Sequence, residues 1–150
     1  MQTNNVTAVL EDLVETLEDG KKGFESSAER LESDGHASMA ALMRRFSQQR
    51  DQFSAELRTL ASTRGEPIDE SGSVGGALHR GWLTLSDALT GSDPKAVLAA
   101  AEQGEDHAVA EYDGALEKEL PQDVRTIIAR QAEDVRAAHD EVRDLRDTLD

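Results

Sequence analysis

Apolar side chains recur every three or four residues along almost the whole chain, the spacing of helices that bury one face. A first helix is predicted over residues 5–33, with Val6, Leu10, Leu13, Leu17, Gly20, Phe24 and Leu31 on one seam. Asp34-Gly35 supplies its stop signal. A second helix, 38–64, carries Met39, Leu42, Phe46, Gln49, Phe53, Leu57 and Leu60, and Gly65 and Pro67 end it. After a polar, breaker-rich stretch, a short helix over 73–89 presents Val74, Leu78, Trp82, Leu85 and Leu89. Ser92-Asp93-Pro94 then opens a helix over 94–119, with Ser92 as the expected N-cap and the proline in the first turn. Leu120-Pro121 breaks the chain. The last helix, 121–149, runs on Val124, Ile128, Gln131, Val135, Ala138, Val142, Leu145 and Leu149.

Two tight hairpins separated by a long connection are the connectivity of a bundle with one long crossover. The fold expected for residues 1–150 is therefore all-α, a single ferritin-like up-down four-helix bundle whose crossover contains the short extra helix. No alternation of the strand kind and no internal repeat interrupts this pattern.

Each long helix breaks its apolar seam near its midpoint: Gly20, Gln49, Glu105 and Gln131. Midpoints of antiparallel helices of similar length fall at similar heights, so a polar layer is predicted in which two amides face one carboxylate beside a glycine. Glu105 is the costly member, because a carboxylate in a bundle core needs a proton, a donor, a cation or a metal. One reading is a hydrogen-bonded layer that fixes register, with Gln49 or Gln131 donating to Glu105. On that reading Glu105→Gln should be tolerated or stabilising. A second makes the layer a metal or small-ligand site, and a third shifts the seam by one residue and leaves Glu105 in water.

The usual di-metal bundle needs Glu-x-x-His on two of its helices. The residues three before His36, His79, His107 and His139 are Ser33, Gly76, Gly104 and Arg136, so that signature is absent. A metal reading is left with Glu105, Asp19 and His139 as ligands and with iron or manganese as the ion; no cofactor is assigned.

Charge changes the list of partners. The chain carries 31 Asp+Glu against 16 Lys+Arg, a formal net charge of −15. Such a surface repels nucleic acid and anionic membranes. No apolar run approaches the roughly 20 residues that span a bilayer. The N-terminus lacks a signal-peptide pattern and the chain has no cysteine, so a cytoplasmic location is expected. The acids are unevenly spread: the first 35 residues hold nine acids and three basic residues, whereas 36–64 hold five Arg and two acids. Packed side by side these segments complement each other. Arg44, Arg45 and Arg50 could instead receive an anion, the weaker reading. On the crossover, His79, Arg80 and Trp82 form a dense patch, a surface candidate if Trp82 does not simply cap the bundle.

Leu17-Glu18-Asp19-Gly20 with Gly23-Phe24, Gln49-Arg50, Gly76-Ala77-Leu78-His79-Arg80-Gly81-Trp82, Ala88-Leu89-Thr90-Gly91 and Glu102-Gln103-Gly104-Glu105-Asp106 resemble a family of bacterial four-helix-bundle proteins of unknown function, grouped with the ferritin-like superfamily. The resemblance runs from about Val6 to Arg146. It implies the bundle fold and assigns no activity. The superfamily's di-metal ligands carry over to Glu105 alone, and His79, Arg80, Trp82, Glu105 and Asp106 become the positions to test first.

Three functional readings follow. The first is a non-catalytic binding or assembly module, with a structural polar layer and an unidentified protein partner. The second is a metal-binding or oxidative-stress protein using Glu105. The third is a site completed by a second copy of the chain.

Overall fold

The computed structural model describes residues 2–68 and 93–149, with side chains from Val6 onward. Four helices and no strand occur among the described residues: α1 (Gln2–Ser33), α2 (Ala37–Thr63), α3 (Pro94–Leu116) and α4 (Gln122–Asp147). The helix expected over 73–89, and with it His79, Arg80 and Trp82, lies outside the described residues.

The helix ends follow local chemistry. Gly35 takes φ 88° and Gly65 takes φ 85°, the left-handed conformation that a side chain strains. Past these turns the His36 amide donates to the Leu31 carbonyl at 2.8 Å, and that of Glu66 to the Ala61 carbonyl at 3.0 Å. At the start of α3 the cap is Asp93, not Ser92 as expected: its Oδ1 accepts the Lys95 amide at 3.0 Å, ahead of Pro94 in the first turn. The α3–α4 turn begins earlier than the pattern suggests. Arg125 donates there to the carbonyls of Leu116 (2.8 Å) and Lys118 (2.6 Å), covering the open end of α3.

Helix directions can be read from polar contacts. Ser54 Oγ donates to Glu18, Ser47 Oγ to the Lys21 carbonyl, and Arg44 to Glu32, so α1 and α2 are antiparallel. Arg125 near Leu116, Arg136 on Asp113 and Arg146 on Glu102 make α3 and α4 antiparallel. Val9 and Leu13 of α1 share a groove with Gly114 and Ala115 of α3, while Phe24 and Leu31 cluster with Val97 and Leu98. α1 is therefore antiparallel to α3 as well, and α2 and α3 run parallel. The end of α2 and the start of α3 stand at opposite ends of the packed helices.

α1 packs against α2 and α3, α4 against α3 and more lightly against α2; the pairs α2/α3 and α1/α4 do not abut. This is the arrangement of four helices around a square, with those two pairs on its diagonals. The core mixes aliphatic side chains with Phe24, Phe46, Phe53 and Tyr112 and falls into two clusters. One gathers Leu10, Leu13, Leu17, Phe53, Leu57, Tyr112, Ile128 and Val135; the other gathers Phe24, Leu31, Met43, Phe46, Leu98, Ala101 and Val142. In sequence order the break falls at Gly20 on α1, Arg50 on α2 and Glu105 on α3.

Candidate functional site

Where the two apolar clusters part, Arg50 and Glu105 face each other. Their side chains are 1% and 0% exposed, and Nη1 and Nη2 of Arg50 donate to Oε1 and Oε2 of Glu105 at 2.5 and 2.7 Å. Both oxygens of a planar carboxylate are thus met by the planar fork of one guanidinium, the strongest pairing geometry those groups have. The third guanidinium nitrogen, Nε, donates to Gln49 Oε1 at 3.2 Å. Above the pair the Arg50 guanidinium carbon lies 5.2 Å from the centre of the Phe24 ring, which in turn tilts against Phe46 at 5.3 Å. The aromatic face supplies a further weak attraction for the cation.

Gly20 lines the same place on α1. A methyl group there would lie 3.6 Å from Arg50 Nη1 and 3.7 Å from its Cγ, ordinary contact distances. The glycine therefore leaves a shallow gap beside Arg50, where alanine would fit and a larger side chain would displace the arginine.

A separate polar group lies two turns along α3. The buried Tyr112 hydroxyl donates to Gln131 Oε1 at 2.7 Å, and Gln131 Nε2 donates to Glu56 Oε1 at 2.8 Å and to the Phe53 carbonyl at 3.4 Å. Glu56 is also paired with Arg130 at the surface. Burial raises the Tyr112 hydroxyl well above its ordinary pKa; Arg50 pulls it down while Glu56 and Glu105 add to the rise. It remains a neutral donor across the physiological range.

These contacts correct the expected layer. Gly20, Glu105 and Gln131 are buried, but Gln49 is half-buried and does not donate to Glu105. Neither does Gln131, which belongs to the Tyr112 group. Arg50 occupies the seam of α2, because that helix buries Ala40, Met43, Ser47, Arg50 and Ser54 rather than Met39, Leu42 and Gln49. An anion site on Arg44, Arg45 and Arg50 is not assembled either. Arg50 is spent on Glu105, Arg44 pairs with Glu32 at 2.6 Å, and Arg45 is exposed.

On the outer face of α3 and α4, three donor residues converge. His139 Nε2 lies 2.6 Å from Asp106 Oδ1 and 3.8 Å from Glu102 Oε2, and its Nδ1 lies 3.0 Å from Asp140 Oδ1. Partial burial lowers the pKa of His139, but its bonds to Asp140 and Asp106 and the charges of Asp106 and Glu102 outweigh that, leaving it above the usual imidazole value. Asp140 is lowered in turn, chiefly by its bond to His139. Of the expected metal ligands, His139 joins this group, whereas Glu105 and half-buried Asp19 do not.

Between α1 and α3 runs a groove of about 280 Å³ lined by Val9, Asp12, Leu13, Glu111, Glu117 and Lys118 among others. The carboxyls of Asp12 and Glu111 are raised above their ordinary values by partial burial first and by neighbouring acids second.

A family model described as "Domain of unknown function (DUF2383)" matches residues 5–118. The chain belongs to this family. No curated protein matches it. In this DUF2383 chain the matched span holds Gly20, Arg50, Glu102, Glu105, Asp106 and Tyr112, and it stops before α4, which brings Gln131 and His139. None of the helices described is long and apolar enough to cross a membrane.

Proposed function

We propose that this DUF2383 chain is a ferritin-like bundle that acts as a non-catalytic binding or assembly module, works through its surface in the cytoplasm, and keeps its buried polar layer for structure alone. The observation that carries this is the pairing of Arg50 with Glu105. A ligand site needs acceptors or donors aimed at unfilled space, and here both carboxylate oxygens and all three guanidinium nitrogens are already engaged inside the protein. The parallel run of α2 and α3, both antiparallel to α1, supports the ferritin-like connectivity, since a bundle with one long crossover has that pattern. Iron or manganese on Glu105 would have to compete with the Arg50 guanidinium for both carboxylate oxygens. The partner of the module is a protein, with a second copy of the chain as one case.

The test replaces the pair by apolar side chains. Arg50→Met/Glu105→Leu should keep the helix content, the oligomeric state by light scattering and a cooperative melt. Elemental analysis and native mass spectrometry of the untagged parent and variant should show the same bound species, or none in both. A folded double variant that has lost an ion or small molecule carried by the parent would overturn the structural reading.

A further inference from the structure

We propose that Glu102, Asp106 and His139 form a binding site for one divalent transition-metal ion on the α3–α4 face. The site is distinct from the buried layer and does not rest on the function proposed for it.

The geometry comes from rigid elements. Glu102 and Asp106 are four residues apart on α3 and so share one helix face, and His139 meets them from α4. One donor atom from each residue lies within 4.8 Å of the other two. Three ligands at about 2.1 Å from a common ion stand roughly 3 Å apart at right angles and about 3.4 Å apart at tetrahedral angles. The separations found, 2.6 Å to Asp106 and 3.8 Å to Glu102, fall either side of these values. A small opening on one side and a small closure on the other would seat the ion, which takes the ring nitrogen in its deprotonated form.

The surroundings also suit a ligating imidazole. Asp140 holds the far ring nitrogen, Nδ1, at 3.0 Å, the carboxylate support that orients histidine ligands and strengthens their donation. Arg146 takes one oxygen of Glu102, Oε1, and leaves Oε2 turned toward His139. One imidazole and two carboxylates make a set without sulfur, suited to Zn²⁺, Mn²⁺ or Fe²⁺ and unsuited to Cu⁺. Asp106 is well exposed, so the remaining coordination positions face water. The ion would fasten α4, which lies beyond the family-matched span, to α3 within it.

The full-length chain, purified without a tag and stripped of metal with a chelator, should be titrated calorimetrically with ZnCl₂ and, separately, with MnCl₂. At least one of the ions should bind at one equivalent per chain. His139→Gln and Asp106→Asn should each weaken that binding by at least about tenfold, and Asp140→Asn by about tenfold. Arg50→Met/Glu105→Leu and His107→Gln should bind as the parent does, with circular dichroism reporting that each variant is folded. No saturable binding of either ion up to millimolar concentration overturns the proposal. So does binding of equal affinity in His139→Gln, which would mean scattered adsorption on surface carboxylates.

Discussion

Arg50 reaches Glu105 across a diagonal of the bundle, between two helices whose backbones do not abut. Only a long side chain spans that gap. Gln49 lies half-buried to one side and meets Arg50 rather than Glu105, and a lysine at 50 would bring one donor atom where the carboxylate presents two acceptors. The pair thus joins α2 to α3 directly, while α1 and α4 hold them from the sides.

Breaking the pair from one side should be costly. Glu105→Gln leaves a buried arginine without its counter-charge, and removing one partner of a buried pair costs about 3–5 kcal/mol. The expectation that Glu105→Gln is tolerated held for an amide partner and reverses for a guanidinium. Urea melts of Glu105→Gln, Arg50→Met and the apolar double variant should show two large losses and one that is far smaller than their sum.

Tyr112→Phe removes the donor that satisfies Gln131 Oε1 in the core. A buried acceptor left without a partner costs about 1–3 kcal/mol. The loss should appear in the denaturation midpoint with an unchanged slope. Tyr112→Phe combined with Gln131→Leu should recover part of it only if Glu56 can turn to water.

At Gly20 the prediction has the opposite sign. A methyl group makes ordinary contacts with Arg50, so Gly20→Ala should raise stability by about 0.5–1 kcal/mol through helix propensity. Gly20→Leu should lower it by pushing Arg50 away from Glu105. Thermal melts of both variants check this.

Asp12 and Glu111 give a dependence on pH. Their folded pKa values lie above the ordinary 3.8 and 4.5, so the folded state holds protons more tightly than the unfolded one. Stability therefore falls as pH rises through and above the ordinary carboxylate range, and the penalty is complete at neutral pH. Glu111→Gln should melt about 1–2 °C higher than the parent at pH 7, a small gain because solvent screens these exposed groups. The difference should vanish below pH 4.5, the ordinary value of the carboxyl.

Much of the architecture could be read from residue order. Gly35, Gly65 and Pro94 mark helix ends by backbone geometry alone, and the leucine and valine seams of α1 and α4 are strong enough to orient those helices. Glu105 was legible because its neighbours at Leu98, Ala101, Ala108 and Tyr112 are buried by the same periodicity. Arg50 was not. On α2 the inward face is built from Ala40, Ser47 and Ser54 as much as from Phe46 and Leu57, and hydropathy gives such small residues little weight. A rotation of about 100°, one residue, then exchanges Gln49 for Arg50. The signal that could have found it is charge: a buried carboxylate asks for a cation, and α2 is the one long helix whose acids are outnumbered. The Glu102–Asp106–His139 group was legible only in its parts: His139 was an expected ligand and Asp106 a position to test. Glu102 and Asp106 lie on one helix and His139 on the next, off the buried seams, so periodicity does not join them.

The division of the core into two apolar clusters by an ion pair bears on how the chain folds. Arg50 and Glu105 are separated by 55 positions, so loop closure should delay their contact until α3 has been brought alongside α1. Until then Glu105 keeps its water, while the first hairpin already sets Arg50 against Phe24 and Gly20. The step that docks α3 should strip Glu105 and finish stripping Arg50, so this pair should weigh on the approach of the second hairpin more than on the formation of the first. Exchanging it for a methionine and a leucine should leave unfolding slow and make refolding faster, because two greasy side chains have no hydration shell to surrender at the barrier.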